Sequence, residues 1–321
     1  MMDKKTIQQE VDERTNLTGT NKFELLLFRL GGDPSGDRSE LFGINVFKVR
    51  EIVAMPAVTA IAGSIPHMMG VVNIRGQIIP VIDLPSVVGC TPKTGLNIML
   101  VTEFARTAQA FAVEAVEDIV RLDWNQVLPA ETSVANGMVT SIARLDTDID
   151  SNRLVQVLDV ETILRKISPA DVPDVNLKSV GEAVILKPGT VILAADDSMV
   201  ARTLIEQGLE SMGLPFIMTK TGKEAWEKLL QISNTAAAEG KTAQDKVALV
   251  LTDLEMPEMD GFTLTRNIKQ DSRFSGIPVV IHSSLTGSAN EAHVRSVGAD
   301  GYVAKFAADE LAAVLRQVLT K

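Results

Sequence analysis

Val247-Ala-Leu-Val-Leu-Thr-Asp253-Leu-Glu-Met-Pro257-Glu-Met-Asp-Gly261 is apolar up to Thr252, stops at an acid, and passes at once into a loop carrying Pro and Gly. A strand buried on both faces reads this way, and it delivers its final carboxylate to the C-terminal rim of a parallel sheet. Open α/β sheets bind ligands at that rim. A second apolar run, Val191-Ile-Leu-Ala-Ala195, ends in Asp196-Asp197. Two such strand ends bring their carboxylates within reach of one pocket, where they hold a hard cation or lose their protons poorly.

Outward from this stretch, strand and helix patterns alternate from Thr190 onward. Ser198–Met212 places Val200, Leu204, Ile205, Leu209 and Met212 on one helical face. Pro215–Met218 reads as a strand, and Thr221-Gly-Lys-Glu224 as a capping box opening a helix that buries Ala225, Trp226, Leu229 and Leu230. Ser233–Lys246 is polar and Ala-rich, longer than an ordinary helix-to-strand connection, and reads as a surface insertion. After the Asp253 strand come a helix around Phe262–Gln270, the strand Pro278–Ser284, a helix around Ser288–Val297, the strand Gly301–Ala304 and the helix Asp309–Leu319. Repeated strand–helix units predict a doubly wound parallel α/β sheet over residues 190–321.

In such a sheet every strand end shares one rim. Asp196-Asp197, Asp253, Ser283 (in Val279-Val-Ile-His-Ser-Ser284) and Lys305 (in Gly298-Ala-Asp-Gly-Tyr-Val-Ala-Lys305) each close an apolar run, so they are expected to converge. Singly each signal is weak. An acid pair before a helix is commonly a cap, a strand-end serine commonly begins a turn, and a lysine near the last strand is commonly a solvated charge. Their joint order is specific. A carboxylate can accept a phosphoryl group, Mg2+ can bridge acids and phosphoryl oxygens, and a lysine supplies a point charge toward phosphate. A serine hydroxyl can bond the arriving group and draw its loop inward as a switch.

These motifs resemble the response-regulator receiver family across residues 190–321. The resemblance implies a flavodoxin-like fold, Asp253 as phosphoacceptor, and Mg2+ held by Asp196, Asp197, Asp253 and the backbone carbonyl of Glu255. It implies that Ser283 is the switch hydroxyl, Lys305 the phosphate-pairing lysine and Tyr302 the aromatic switch residue, although half-buried packing explains a tyrosine there equally well. One departure is Phe306 after the lysine, where the family usually has Pro.

Residues 22–165 read differently, as short β-branched and aromatic runs broken by Gly and Pro. Expected strands are Phe23–Leu30, Leu41–Val53, Gly70–Ile74, Gln77–Leu84, Leu96–Phe104, Gln109–Leu122, Val139–Leu145 and Leu154–Leu158, with a helix over Asp159–Lys166. Ile65-Pro-His-Met-Met-Gly-Val-Val-Asn-Ile-Arg-Gly-Gln-Ile-Ile-Pro-Val-Ile-Asp-Leu84 reads as a hairpin turning at or near Arg75-Gly76. Arg75 there is either a solvated turn residue or a projecting contact. The segment resembles the CheW family of chemotaxis coupling proteins. That resemblance implies an all-β domain of two small SH3-like barrels, binding chemoreceptor cytoplasmic tips and a chemotaxis histidine kinase, with Asn73, Ile74 and Arg75 near the receptor. A coupling domain followed by a receiver resembles the CheV chemotaxis proteins.

Composition sets the outer bounds. The chain has 321 residues, room for two domains, and a formal net charge of −10 that argues against a nucleic-acid partner. A single cysteine, Cys90, excludes an internal disulfide, and three scattered histidines make a zinc site unexpected. No apolar run is long enough for a membrane span or a secretion signal, so a cytoplasmic location with recruitment to membrane receptor arrays through partners is expected. The expected organisation is a tail at 1–20, a coupling domain at 21–168, a Pro-rich linker at 169–189 (or an added strand at Ala183–Leu186), and a receiver at 190–321. The function expected is a non-enzymatic adaptor tuned by phosphorylation. The alternatives are a phosphate sink and, remotely, an Asp-nucleophile phosphohydrolase.

Overall fold

A computed structural model describes residues 22–32, 39–104, 107–130, 137–146, 153–167, 184–283, 294, 297–305 and 308–319. The expected tail at 1–20 and most of the linker lie outside them. The chain divides into two compact units, Met1–Val172 and Pro173–Lys321.

The first unit contains β1 (Phe23–Gly32), β2 (Ser39–Asn45), β3 (Val49–Ala54), β4 (Met68–Ile74), β5 (Gln77–Asp83), α1 (Leu84–Val88), β6 (Ile98–Phe104), β7 (Thr107–Val113), β8 (Ala115–Leu122), β9 (Val127–Pro129), β10 (Val139–Arg144), β11 (Leu154–Leu158) and α2 (Val160–Ile167). Six strands form one sheet in the order β8-β1-β2-β11-β10-β9, and five form another in the order β3-β6-β7-β5-β4. Each has its own core. Leu25, Leu27, Val155 and Val157 pack in the first, and Val72, Ile79, Val81 and Val101 in the second. The pair of β subdomains expected for a CheW-like fold is therefore present, one nested within the sequence of the other.

Two sequence expectations fail at the crossings between these sheets. Leu41–Val53 is two strands, β2 and β3, in different sheets. Asn45 divides them, its side chain accepting from Phe47 N at 3.1 Å and opening a 3-10 turn over Val46–Lys48. Gln109–Leu122 is likewise β7 and β8, divided at Glu114. A continuous apolar run conceals a crossing because both of its halves are strand-like and buried. Leu84, expected at a strand end, instead begins α1, which Asp83 caps by accepting from Ser86 N at 3.0 Å.

The second unit contains β12 (Val191–Ala195), α3 (Met199–Ser211), β13 (Phe216–Thr219), α4 (Gly222–Ala238), β14 (Val247–Thr252), α5 (Gly261–Gln270), β15 (Val279–Ser283), β16 (Gly301–Ala304) and α6 (Ala308–Leu319). Its sheet is parallel throughout, in the order β13-β12-β14-β15-β16. Strand residues alternate between two cores. Ile192, Ala194, Leu249 and Leu251 meet α3 and α6, while Leu193, Ala195, Val247 and Val250 meet α4 and α5. This is the doubly wound α/β receiver architecture. The helix expected around Ser288–Val297 falls almost wholly outside the described residues.

Ser233–Lys246 is not a surface insertion. α4 runs on to Ala238, and Ser233, Ala236 and Ala243 are buried beneath it and the 3-10 turn Ala243–Asp245. Small residues at those spacings are an interior face that polarity counting misreads. α3 turns Ala201, Ile205, Gly208 and Leu209 inward, leaving Leu204 and Met212 half-buried. Upstream, Val184 is buried in the core beside α3 and α6, and Leu186 packs on it, with no strand at residues 184–187.

Candidate functional site

β12 and β14 are neighbours, yet the helices that follow them, α3 and α5, leave to opposite faces of the sheet. This is the topological switch point, where the strand ends open a crevice. Asp196 and Asp197 follow β12 directly, Asp253 follows β14, and Lys305 follows β16. Backbone bonds carry the ladders past the strands, Asp253 N donating to Ala195 O and Lys305 N to Ser283 O, each at 2.8 Å.

The acids and the lysine meet. One oxygen from each of Asp196, Asp197 and Asp253 lies within 4.8 Å of the others. Lys305 Nζ stands 2.8 Å from Asp253 Oδ2 and 3.0 Å from Asp196 Oδ2, with all three side chains no more than 3% exposed. A buried ammonium is tolerated only when paired, and these carboxylates pair it. The other oxygens are turned to local backbone. Asp253 Oδ1 accepts from Leu254 N at 2.7 Å, and Asp196 Oδ1 from Ser198 N at 2.9 Å. Each acid thus has its rotamer set by the chain and its second oxygen aimed inward. Three carboxylates against one lysine leave the cluster with excess negative charge. Oxygen donors of this kind suit a small hard divalent cation such as Mg2+.

The loop after Asp253 is tightly held. Gly261 N donates to Leu254 O at 2.9 Å, and a Cβ at Gly261 would stand 2.0 Å from the Asp253 carbonyl oxygen. Only glycine permits that approach. Glu258 takes φ +65° in the same loop, and its carboxylate is 3.5 Å from Lys223 Nζ. Asp260 caps α5 by accepting from Thr263 N at 2.6 Å. Burial pushes the Asp260 carboxyl above its ordinary range, against the lowering effect of its bonds to Thr263. Ser283 is buried at the end of β15. Tyr302 is half-buried against Leu254, Phe262, Ile281 and Val294, and Glu255 is half-buried in the loop. Phe306, where the family pattern departs, lies outside the described residues.

One residue at this site escaped the sequence reading. Arg202 in α3 donates from Nη1 to Asp196 O at 2.9 Å and to Asp197 O at 2.7 Å. Its only trace in the sequence is an arginine one turn into a helix that opens on an acid pair, a spacing too common to single out.

In the first unit, Arg75 and Gly76 take φ +50° and +87° between β4 and β5, a two-residue turn of the type whose backbone twist matches a hairpin. Asn73 supports the turn, its Oδ1 accepting from Gly76 N at 2.9 Å. Arg75 is mostly exposed but reaches back to buried Glu51, with Nη2 3.0 Å from Oε2. Ile74 is half-buried, and Ile78, opposite Asn73, is 69% exposed. The three residues are thus gathered at one hairpin tip, far in sequence from the acid cluster.

Comparisons with known proteins agree with this division. Residues 24–168 match the CheW-like domain family, and residues 192–316 the response regulator receiver domain family. The chain is 30% identical to chemotaxis protein CheV2 of Helicobacter pylori, over 97% of this chain and 99% of that protein. It is 28% identical to CheV3 of the same organism, over 94% of this chain and 96% of that protein. Among solved structures, the scaffolding protein TtCheW from Thermoanaerobacter tengcongensis is 25% identical, covering 44% of this chain and 92% of its own, with a TM-score of 0.38.

Proposed function

Because this chain belongs to the CheV family of chemotaxis proteins, a CheW-like domain joined to a response-regulator receiver, we propose that it couples chemoreceptors to a histidine kinase under control of phosphorylation at Asp253. The observation that carries the phosphoacceptor assignment is the buried cluster of Asp196, Asp197, Asp253 and Lys305 at the switch point of the sheet.

In this reading a carboxylate oxygen of Asp253 attacks the phosphorus of a kinase phosphohistidine. The O–P bond forms as the P–N bond breaks, and the leaving imidazole takes up a proton. Asp196, Asp197, Asp253 and the Glu255 carbonyl would hold Mg2+, which would supply positive charge toward the phosphoryl oxygens. Lys305 turns from carboxylate to phosphoryl oxygen as the acyl phosphate forms, and Ser283 donates its hydroxyl to the same group. Ser283 thereby acts as the switch hydroxyl, with Tyr302, packed against Ile281, as the aromatic switch residue. Positioning and charge perform all of this. The receiver catalyses its own phosphoryl acceptance and loss, and no other turnover.

The CheW-like domain binds the partners. The hairpin tip of Asn73, Ile74 and Arg75, with exposed Ile78 beside it, faces the chemoreceptor cytoplasmic tip, and the domain also engages the kinase. Among the described residues no helix is long and apolar enough to cross a membrane. Recruitment to receptor arrays from the cytoplasm proceeds through these contacts.

The test is phosphotransfer from autophosphorylated histidine kinase in the presence of Mg2+. Wild-type protein gains a base-labile label, and Asp253→Asn gains none. Labelling of Asp253→Asn at the wild-type rate would refute the assignment.

A further inference from the structure

Arg202 and Lys305 engage different atoms of the acidic loop. Lys305 meets the carboxylates of Asp196 and Asp253, whereas Arg202 meets the backbone carbonyls of Asp196 and Asp197. It is anchored for this task, since its own N donates to Ser198 O at 3.0 Å in the first turn of α3, and Ser198 caps that helix through Ala201 N. One nitrogen therefore pins two consecutive peptide planes. A peptide plane is rigid, so fixing two in succession fixes the backbone dihedrals of the residue between them. The residue between them is Asp197.

We infer that Arg202 is a positioning residue for cation binding, a backbone clamp that holds Asp196 and Asp197 in a ligating arrangement before the ion arrives. This rests on the reading of those acids as metal ligands. Arg202 acts through the loop. Groups that orient metal ligands from behind typically change metal affinity by about 10–100-fold when removed.

The measurement is a calorimetric Mg2+ titration of the full-length, unphosphorylated protein, paired with a thermal melt in EDTA. Arg202→Met keeps an unbranched apolar stem and loses every donor. It is expected to bind Mg2+ at least about tenfold more weakly than wild type. Arg202→Lys retains rotatable donors for both carbonyls and is expected to recover most of that loss. A role confined to stability lowers the EDTA melting temperature and leaves Mg2+ affinity alone. Equal affinities of Arg202→Met and wild type would therefore overturn the clamp. Should Arg202→Met not fold, Arg202→Gln replaces it, and the same weakening relative to Arg202→Lys is expected; equality of that pair overturns the proposal too. A wild-type protein that takes up neither Mg2+ nor a phosphoryl group removes the parent reading and the clamp with it. A wild type that does both, beside an Arg202→Met with unaltered Mg2+ affinity, removes the clamp alone.

Discussion

Lys305 sets its ammonium 2.8 Å from Asp253 and 3.0 Å from Asp196 in a buried space. Truncating one partner of a buried ion pair typically costs about 3–5 kcal/mol, because the remaining charge is stranded. Lys305→Gln is therefore expected to lower the melting temperature in EDTA and to gain more from added Mg2+ than wild type does, because the cation replaces the lost charge. Melts with and without Mg2+ check this, and an unchanged Mg2+ increment speaks against it. Gly261 makes a second demand. An alanine there would press its methyl onto the Asp253 carbonyl, and overpacking of that kind costs about 1–3 kcal/mol. Gly261→Ala is expected to lose that much in urea unfolding and to slow labelling by displacing the phosphoacceptor backbone. At this scale the sequence is informative about strand-end residues. Asp196, Asp197, Asp253 and Lys305 each close an apolar run, and the geometry of a parallel sheet gathers run ends. Arg202 and Glu51 stayed hidden, because nothing local tells which carbonyl or charge a surface-type residue will meet after folding.

The crossing between β7 and β8 is where an element-level device shows most clearly. Glu114 Oε1 accepts from Lys93 N at 2.7 Å, Thr94 N at 2.6 Å and Thr94 Oγ1 at 3.0 Å, while its backbone N donates to Arg29 O at 3.0 Å. The side chain thus ties the loop after α1 to the crossing, and the backbone ties the crossing to β1. Burial raises the carboxyl pKa, but the bonds from Thr94 and Lys93 outweigh it, and the group sits below its ordinary value. A carboxylate whose folded pKa lies below its unfolded value of about 4.3 stabilises fully above that pH and loses the contribution as pH falls through the folded value. Glu114→Gln is therefore expected to cost about 1–2 kcal/mol at neutral pH. The gap to wild type should close as pH drops below about 4. Urea unfolding across that range decides it, and a gap independent of pH excludes the charged carboxylate as its source. The crossings themselves were not legible. Leu41–Val53 and Gln109–Leu122 read as single strands because hydrophobic periodicity reports burial and does not say in which sheet. The length of α4 was misread for a related reason, since Ser233, Ala236 and Ala243 are small enough to look like loop composition while serving as a packed face.

For the whole molecule, the cores of the two units are separate, and the acid cluster belongs to the second. A ligand that binds only the folded state stabilises the unit that holds it. Scanning calorimetry of the full chain is expected to show Mg2+ raising the unfolding of the receiver and leaving that of the CheW-like domain in place. Asp253→Asn should diminish the rise. Equal displacement of all unfolding by Mg2+ would contradict it. The nesting of one β subdomain inside the other has a further consequence during synthesis. Residues 49–113 supply every strand of the five-stranded sheet, whereas β1 and β2 pair with β8 and β11. As the chain leaves the ribosome the inner sheet is complete first, and β1, with its Leu and Phe residues between Glu24 and Arg29 and beyond, waits on the order of ten seconds for β8. Through that interval the edge of β1 that β2 does not cover is open to neighbouring nascent chains, so the earliest strand made is one that a chaperone would shield.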